Sequence, residues 1–193
     1  MQEEEILSEF RAAEALLEGH FILSSGRHSA NYLQCARVLM DPERAGRLAI
    51  ALASRLPRDL RSSIDVVVSP AMGGIIIGHE MGRALNVPAI FLERPTGTFE
   101  FRRGFALTPG QKVLMVEDVV TTGLSSREAM AAVAEDGGEV VALACLVDRS
   151  AGQVAFDVPF EALVTINFPT FAEDEVPAEL AAIPAEKPGS RKK

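Results

Sequence analysis

Five short apolar runs, with helical segments between them, constrain this chain more than any other feature. "IDVVVSP" (64–70), "VPAIFLE" (87–93), "KVLMVED" (112–118), "EVVALACLVDR" (139–149) and "ALVTIN" (162–167) show no alternation of apolar and polar positions. A strand with one wet face alternates, whereas a strand buried on both faces does not. A helix is predicted from about Gly74 to Leu85. A second is predicted over "SSREAMAAVAEDGG" (125–138), with a Ser125-x-x-Glu128 capping box and a glycine stop. Buried strands alternating with helices predict an α/β fold, a central parallel sheet flanked by helices on both faces.

At 193 residues, 48% of them hydrophobic, the chain suits one domain with a sizeable core. The repeating unit occupies 37–150. Residues 1–36 do not fit it and are expected to form a small hood, joined by 151–185; the polar stretch 186–193 reads as a flexible tail. Ile6, Leu7, Phe10, Ala13, Leu16 and Leu17 have helical spacing over 3–18, with Gly19 as the stop. "FILSSGRHSANYLQC" (21–35) reads as two short strands about a Ser-Ser-Gly turn. Asp41 and Pro42 open a helix that runs to about Leu56. "RPTGTFEFRRGFALTPG" (94–110) is polar and broken by Gly and Pro, a long loop or loose hairpin of the kind that usually has a function.

Several function classes are disfavoured. No apolar stretch reaches membrane-spanning length, and the acidic start "MQEEEILSEF" lacks the basic flank and apolar segment of a signal peptide. A net charge of −8 works against non-specific binding to nucleic acid. Cys35 and Cys145 lack metal-ligand spacing and suit a reducing cytoplasm. "AMGGIIIG" fails the dinucleotide pattern G-x-G-x-x-G at two of three positions, Ala71 and Ile76. No G-x-S-x-G occurs, and His20, His28 and His79 have no evident nucleophile.

In an open parallel sheet, ligands bind beyond the carboxyl ends of the strands. Four such ends carry polar or glycine-rich residues: the "SPAMGG" run 69–74, Glu93 with Arg94, Glu117 with Asp118, and Asp148 with Arg149. Thr121, Thr122, Gly123, Leu124 and Ser125 fall in a strand-to-helix turn. Free amides and the helix dipole make such a turn a site for an anion, and glycine permits the positive φ it needs. The turn is not a Walker A loop, which requires G-x-x-x-x-G-K-S/T. An ordinary capped turn would look the same but for the two acids before it. Carboxylates beside an anion site repel a phosphate unless a sugar lies between them, its hydroxyls donating to the acids. Their charge also favours an oxocarbenium-like transition state.

"VLMVEDVVTTGLSS" (113–126) resembles the signature of the type I phosphoribosyltransferases. "GHFILSSGRHSANYLQC", "SPAMGG", "ERPTGTFEFRRGF" and "LVDRS", in that order, are similar to the orotate-using branch of that superfamily over most of 5–150. The resemblance implies a pentosyltransferase that joins orotate to 5-phosphoribosyl 1-pyrophosphate (PRPP), with Mg2+ held mainly by the donor and no direct protein ligand. Carried over by position, it implies PRPP binding by Glu117, Asp118, Val119, Val120, Thr121, Thr122, Gly123, Leu124 and Ser125, with Met72 and Gly73 at the pyrophosphate. It implies orotate binding by Thr121, Arg149, Tyr32 and Leu33. It also implies a homodimer in which mobile loop 94–104 reaches the neighbouring site. Many relatives carry lysines where this chain has Ser24, Gly73 and Pro95, so Arg94, Arg102 and Arg103 are the nearby cations that could serve the pyrophosphate. The competing readings are a PRPP-binding regulator of the same fold without catalysis, and a phosphoribosyltransferase for another base.

Overall fold

The computed structural model describes residues 1–23 and 25–187. Ser24 and residues 188–193 of the expected tail lie outside the described residues. Helix α1 (Glu3–Ala12) buries Ile6 and Phe10. It ends earlier than its apolar spacing predicts. Glu14 takes a left-handed φ of 49°, and the chain enters strand β1 (Leu16–Ile22), so Gly19 is a strand residue and not a helix stop. Cross-strand pairing decides this: Leu16 faces Leu33 and Leu17 faces Tyr32 of β2 (His28–Leu33). Short helix α2 (Cys35–Leu39) leads to α3 (Pro42–Arg55), whose first turn is capped by Asp41, Oδ1 accepting from the Glu43 amide at 3.0 Å and the Arg44 amide at 3.1 Å. Another short helix, α4 (Arg58–Ser63), precedes the repeating unit.

That unit runs β3 (Val66–Pro70), α5 (Gly74–Leu85), β4 (Ala89–Glu93), β5 (Glu100–Phe101), β6 (Lys112–Val120), α6 (Leu124–Glu135), β7 (Glu139–Asp148) and β8 (Phe160–Thr165). The sheet order is β5-β4-β3-β6-β7-β8, parallel throughout except that β5 turns back antiparallel on β4. The expected loop 94–110 therefore contains a short hairpin. Strand β9 (Thr170–Phe171) pairs antiparallel with β2, making a separate three-stranded sheet β1-β2-β9, and helix α7 (Ala178–Ala181) follows. The stretch read as a tail starts too early at 186: the Glu186 carbonyl accepts from the Ile22 amide at 2.7 Å.

Alternate residues of the central strands feed two cores. Val67, Leu114, Val116, Ala144 and Leu146 face α3 and α5, while Val68, Val113, Met115, Leu143 and Cys145 belong to the core on the α6 side. This double burial is why the runs lack alternation. The order of the sheet also places the site. The chain builds outward from β3 to β5 on one side, then returns to lay β6, β7 and β8 on the other, so the crevice between the ends of β3 and β6 is the topological switch point where ligands bind in such sheets. We expect Leu114→Ala, at a fully buried position of the central strand, to lower stability by about 2–5 kcal/mol in urea titrations; a change under about 0.5 kcal/mol would contradict the central placement of β6.

Candidate active site

β3 pairs with β6 only as far as Val68 and Met115, but β6 runs on beside β7 to Val120 and Asp148. Glu117 and Asp118 are thus strand residues, as the run 112–118 predicts, and β6 continues two residues beyond them. Period-two geometry sends them to opposite faces. Glu117, only 6% exposed, lies toward α6. Burial comes first among the causes that push its carboxyl up to about 8, and the neighbouring Asp118 charge adds to it; a Ser125 hydrogen bond and the Arg94 charge pull it back. Asp118 lies toward α5. A Cβ built on Gly73 would stand 2.6 Å from its Oδ2. Its pKa is also raised by burial, against the Val119 amide that Oδ1 accepts at 2.9 Å.

After Val120 the chain turns through Gly123, whose φ of 71° is in the left-handed region that glycine tolerates. Gly123 is also the N-cap of α6 and has no side chain to cap it; the nearest substitute is the Thr122 hydroxyl, which accepts from the Leu124 amide at 3.4 Å. The predicted Ser125-x-x-Glu128 box does not form, because the helix begins one residue sooner and both side chains have other partners: Ser125 bonds Glu117, and Glu128 pairs with Arg94. The first helical bond runs from the Arg127 amide to the Gly123 carbonyl at 3.0 Å, which leaves the amides of Ser125 and Ser126, and the Leu124 amide with only its long bond to Thr122, at the open end of the helix. They face a cavity of about 250 Å³ lined by Arg94, residues 119–126 and Glu128. This is the geometry of an anion site.

A second cavity, about 450 Å³, adjoins it and is lined by Thr121, Thr122, Arg149, Asn167 and Phe168 among others. Partial burial lowers the Arg149 pKa, and Tyr32 and Cys35 are the groups whose charges oppose that shift. Tyr32 is carried on β2 of the three-stranded sheet, and its ring packs against Phe21 at 5.7 Å. The Leu33 side chain sits in the main core, 5% exposed. Met72 is freely exposed at the tip of the loop after β3. The three candidate arginines all meet acids. Arg94 pairs with Glu128 beneath Phe99, whose ring centre is 4.0 Å away. Arg103 bonds Glu93 at 2.7 Å, and Arg102 lies 3.5 Å from the same carboxylate.

Residues 39–181 match the model of the phosphoribosyl transferase domain. The chain is 74% identical over its full length, and all of the relative's, to an orotate phosphoribosyltransferase of Novosphingobium aromaticivorans. It is 75% identical, again over the whole of both chains, to one from Erythrobacter litoralis. The chain belongs to the orotate phosphoribosyltransferase family. Among solved structures, the Aeropyrum pernix orotate phosphoribosyltransferase superposes on 83% of this chain and 93% of its own with a TM-score of 0.68 at 26% identity. The family is one of pentosyltransferases, so the chain is an enzyme. Adenine phosphoribosyltransferase structures share the fold at 17–18% identity.

Sequence reasoning placed the phosphoribosyltransferase signature at a strand end but did not foresee its supporting contacts. Ser125 to Glu117, Arg94 to Glu128 and Arg127 to the segment after Arg149 join residues far apart in the chain or aimed by the fold. The only signal for them was the presence of polar residues in the first turn of α6. The buried Glu117 has a testable consequence. A raised folded pKa adds stability in full below the unfolded value of 4.5 and loses it as pH rises toward about 8. We expect the ligand-free protein to lose roughly 3–5 kcal/mol relative to Glu117→Gln across that window, read by denaturant unfolding at several pH values. Parallel curves for the two proteins would show that Glu117 is solvated.

Proposed function

We propose that this chain transfers the phosphoribosyl group of PRPP to orotate, releasing pyrophosphate and forming orotidine 5′-phosphate in pyrimidine biosynthesis. One observation carries the reading: Thr121 and Thr122 line both the anion cavity and the cavity that holds Arg149, so a sugar phosphate in the first would present its C1 to a base in the second. In this assignment the amides and hydroxyls of Thr121 to Ser125, with Val119 and Val120 beneath, hold the 5′-phosphate. Glu117 and Asp118 take the ribose hydroxyls from the two faces of β6. Met72, Gly73 and the following turn face the pyrophosphate.

The bond from C1 to the pyrophosphate oxygen breaks with its electrons going to pyrophosphate, and the orotate N1 forms the new bond to C1 and gives its proton to the departing pyrophosphate. Positive charge that gathers on the sugar in between is stabilised by the acids on β6. Arg149 fits the orotate carboxylate, since a guanidinium can bind it through two parallel hydrogen bonds. Tyr32 supports the base from the three-stranded sheet β1-β2-β9, and Leu33 beside it contributes only backbone, its side chain being in the core. The purines that related enzymes use have no carboxylate for Arg149 to meet.

Among the described residues no group of three or more acidic, imidazole or thiol side chains gathers to hold a metal. Mg2+ would come on the oxygens of the donor's pyrophosphate, where Asp118 against Gly73 is the protein carboxylate that faces it; bound there, it would neutralise charge on the leaving group. The glycine is also consistent with the missing lysine, because any side chain at 73 would displace Asp118. That leaves Arg94, Arg102 and Arg103 to exchange their acid partners for pyrophosphate as loop 94–104 closes over a reactive sugar and excludes water. Exposed Met72 and Ile76, next to a cavity of about 280 Å³ lined by Ile75, Ile76 and Phe91, support a homodimer in which this loop serves the neighbouring site. A cytoplasmic enzyme without nucleic-acid or membrane partners is part of the proposal. Separately, no described helix is long and apolar enough to cross a membrane.

The test follows orotate by its ultraviolet absorbance. Loss should require both PRPP and Mg2+. Arg149→Ala should raise the KM for orotate about 10–100-fold, the loss of a charge-assisted pair, with a much smaller change for PRPP, and Arg149→Lys should not restore it. Tight binding of both substrates without turnover would support a regulator, and turnover of a purine with none of orotate would support another base. An equal rise in both KM values would remove Arg149 from the base pocket.

A further inference from the structure

We propose that Arg127 is a positioning residue that joins the anion cradle to the segment bearing Arg149, so that a sugar phosphate in the first prepares the second for the base. The proposal rests on the assignment of those two sites given above.

Arg127 lies in the first turn of α6, and its side chain turns back across the helix start. Nη1 donates to the Thr122 carbonyl at 3.1 Å, and Nη2 donates to the Ala155 carbonyl at 2.8 Å. The guanidinium carbon stands 4.9 Å from the centre of the Phe156 ring. Thr122 belongs to the cradle. Ala155 and Phe156 end the segment that starts at Arg149. A single fork therefore holds backbone from both, and a lysine cannot reproduce it, because an ammonium lacks the planar pair of donors.

The rest of that segment is fixed at its base. Buried Asp148 accepts from the Ser150 amide at 2.7 Å and the Gly152 amide at 3.2 Å, and the Ser150 hydroxyl accepts from the Val154 amide at 3.2 Å. Its far end is fixed by Arg127. All the parts meet at Gly123. A Cβ there would lie 2.7 Å from Val154 Cγ1, 2.8 Å from Arg127 Nη1 and 2.9 Å from Phe156 Cζ. The cradle's own glycine is thus in contact with both the guanidinium and the far end of the arm. An anion that orders residues 121–125 orders the Thr122 carbonyl, and through Arg127 it orders residues 149–155. Ordering the arm in advance reduces the entropy that orotate must remove when it binds. The same coupling must act in reverse, from base to sugar phosphate.

The measurement is calorimetric titration of orotate into the full-length protein, with and without saturating ribose 5-phosphate, which occupies the cradle but cannot react. The wild type should bind orotate about tenfold more tightly when the sugar phosphate is present. Arg127→Lys and Arg127→Met should cut that enhancement below about twofold while each ligand alone still binds, and thermal unfolding should stay near that of the wild type. Should Arg127→Met fold poorly, Phe156→Leu, which removes the platform under the guanidinium, should lower the enhancement without removing it. Wild-type coupling that survives in the Arg127 variants overturns the proposal. So does a wild type that binds both ligands with no coupling. A wild type that binds neither ligand counts instead against the assignment of the two sites.

Discussion

The structure depends on one length mismatch between neighbouring strands. β3 ends its pairing with β6 at Met115, while β6 continues beside β7 for five more residues. The backbone that continues alone on that side is where Glu117 and Asp118 sit. Because the sheet order reverses at this same junction, the loop after β3 and the turn after β6 face each other across the gap. Close approach by glycine makes this possible. A Cβ on Gly74 would be 3.1 Å from the Val116 carbonyl, and one on Gly73 would overlap the Asp118 carboxylate. The remaining features, the open α6 amides, Arg127 and the arm of Arg149, are arranged around that gap.

Two adjacent carboxylates on one strand are expensive to bury, and the fold divides the burden between its two faces. Glu117 is enclosed on the α6 side with Ser125 for company, and Asp118 rests against Gly73 on the α5 side. A sugar laid across the strand end can reach both, which neither face alone would allow. The same division accounts for the cations. Arg94 stays on the α6 side with Glu128, and Arg102 and Arg103 remain with Glu93 at the end of β4. Each has an acid partner.

Much of this was legible in the residues. The five apolar runs became the five parallel strands, and the helices of Asp41-Pro42 and Gly74 to Leu85 begin where the sequence places them. The failures have physical causes. α2, α4, β5 and β9 are too short to show a period. The helical spacing of Ala13, Leu16 and Leu17 fits a strand as well, and pairing with β2 prevailed. The site's location was readable because strand ends and glycines mark it. Its internal wiring was not, since a capping box and an ion pair across 34 residues draw on the same Glu128. The opposite facing of Glu117 and Asp118 was available from strand alternation, since the strand read over 112–118 already includes both.

The central claim is that the acids on β6 receive the sugar of PRPP, and proton release tests it most directly. At pH 7 the carboxyl of Glu117, pushed up to about 8 by burial, is mostly protonated in the free enzyme. Ribose hydroxyls that donate to it favour its ionised form. Titrating PRPP with Mg2+ by calorimetry in buffers of differing ionisation enthalpy counts the protons released, and Glu117→Gln supplies the reference for those that come from the ligand itself. The account predicts about one proton more from the wild type than from the variant. Equal release from the two, with PRPP binding intact in both, would contradict it.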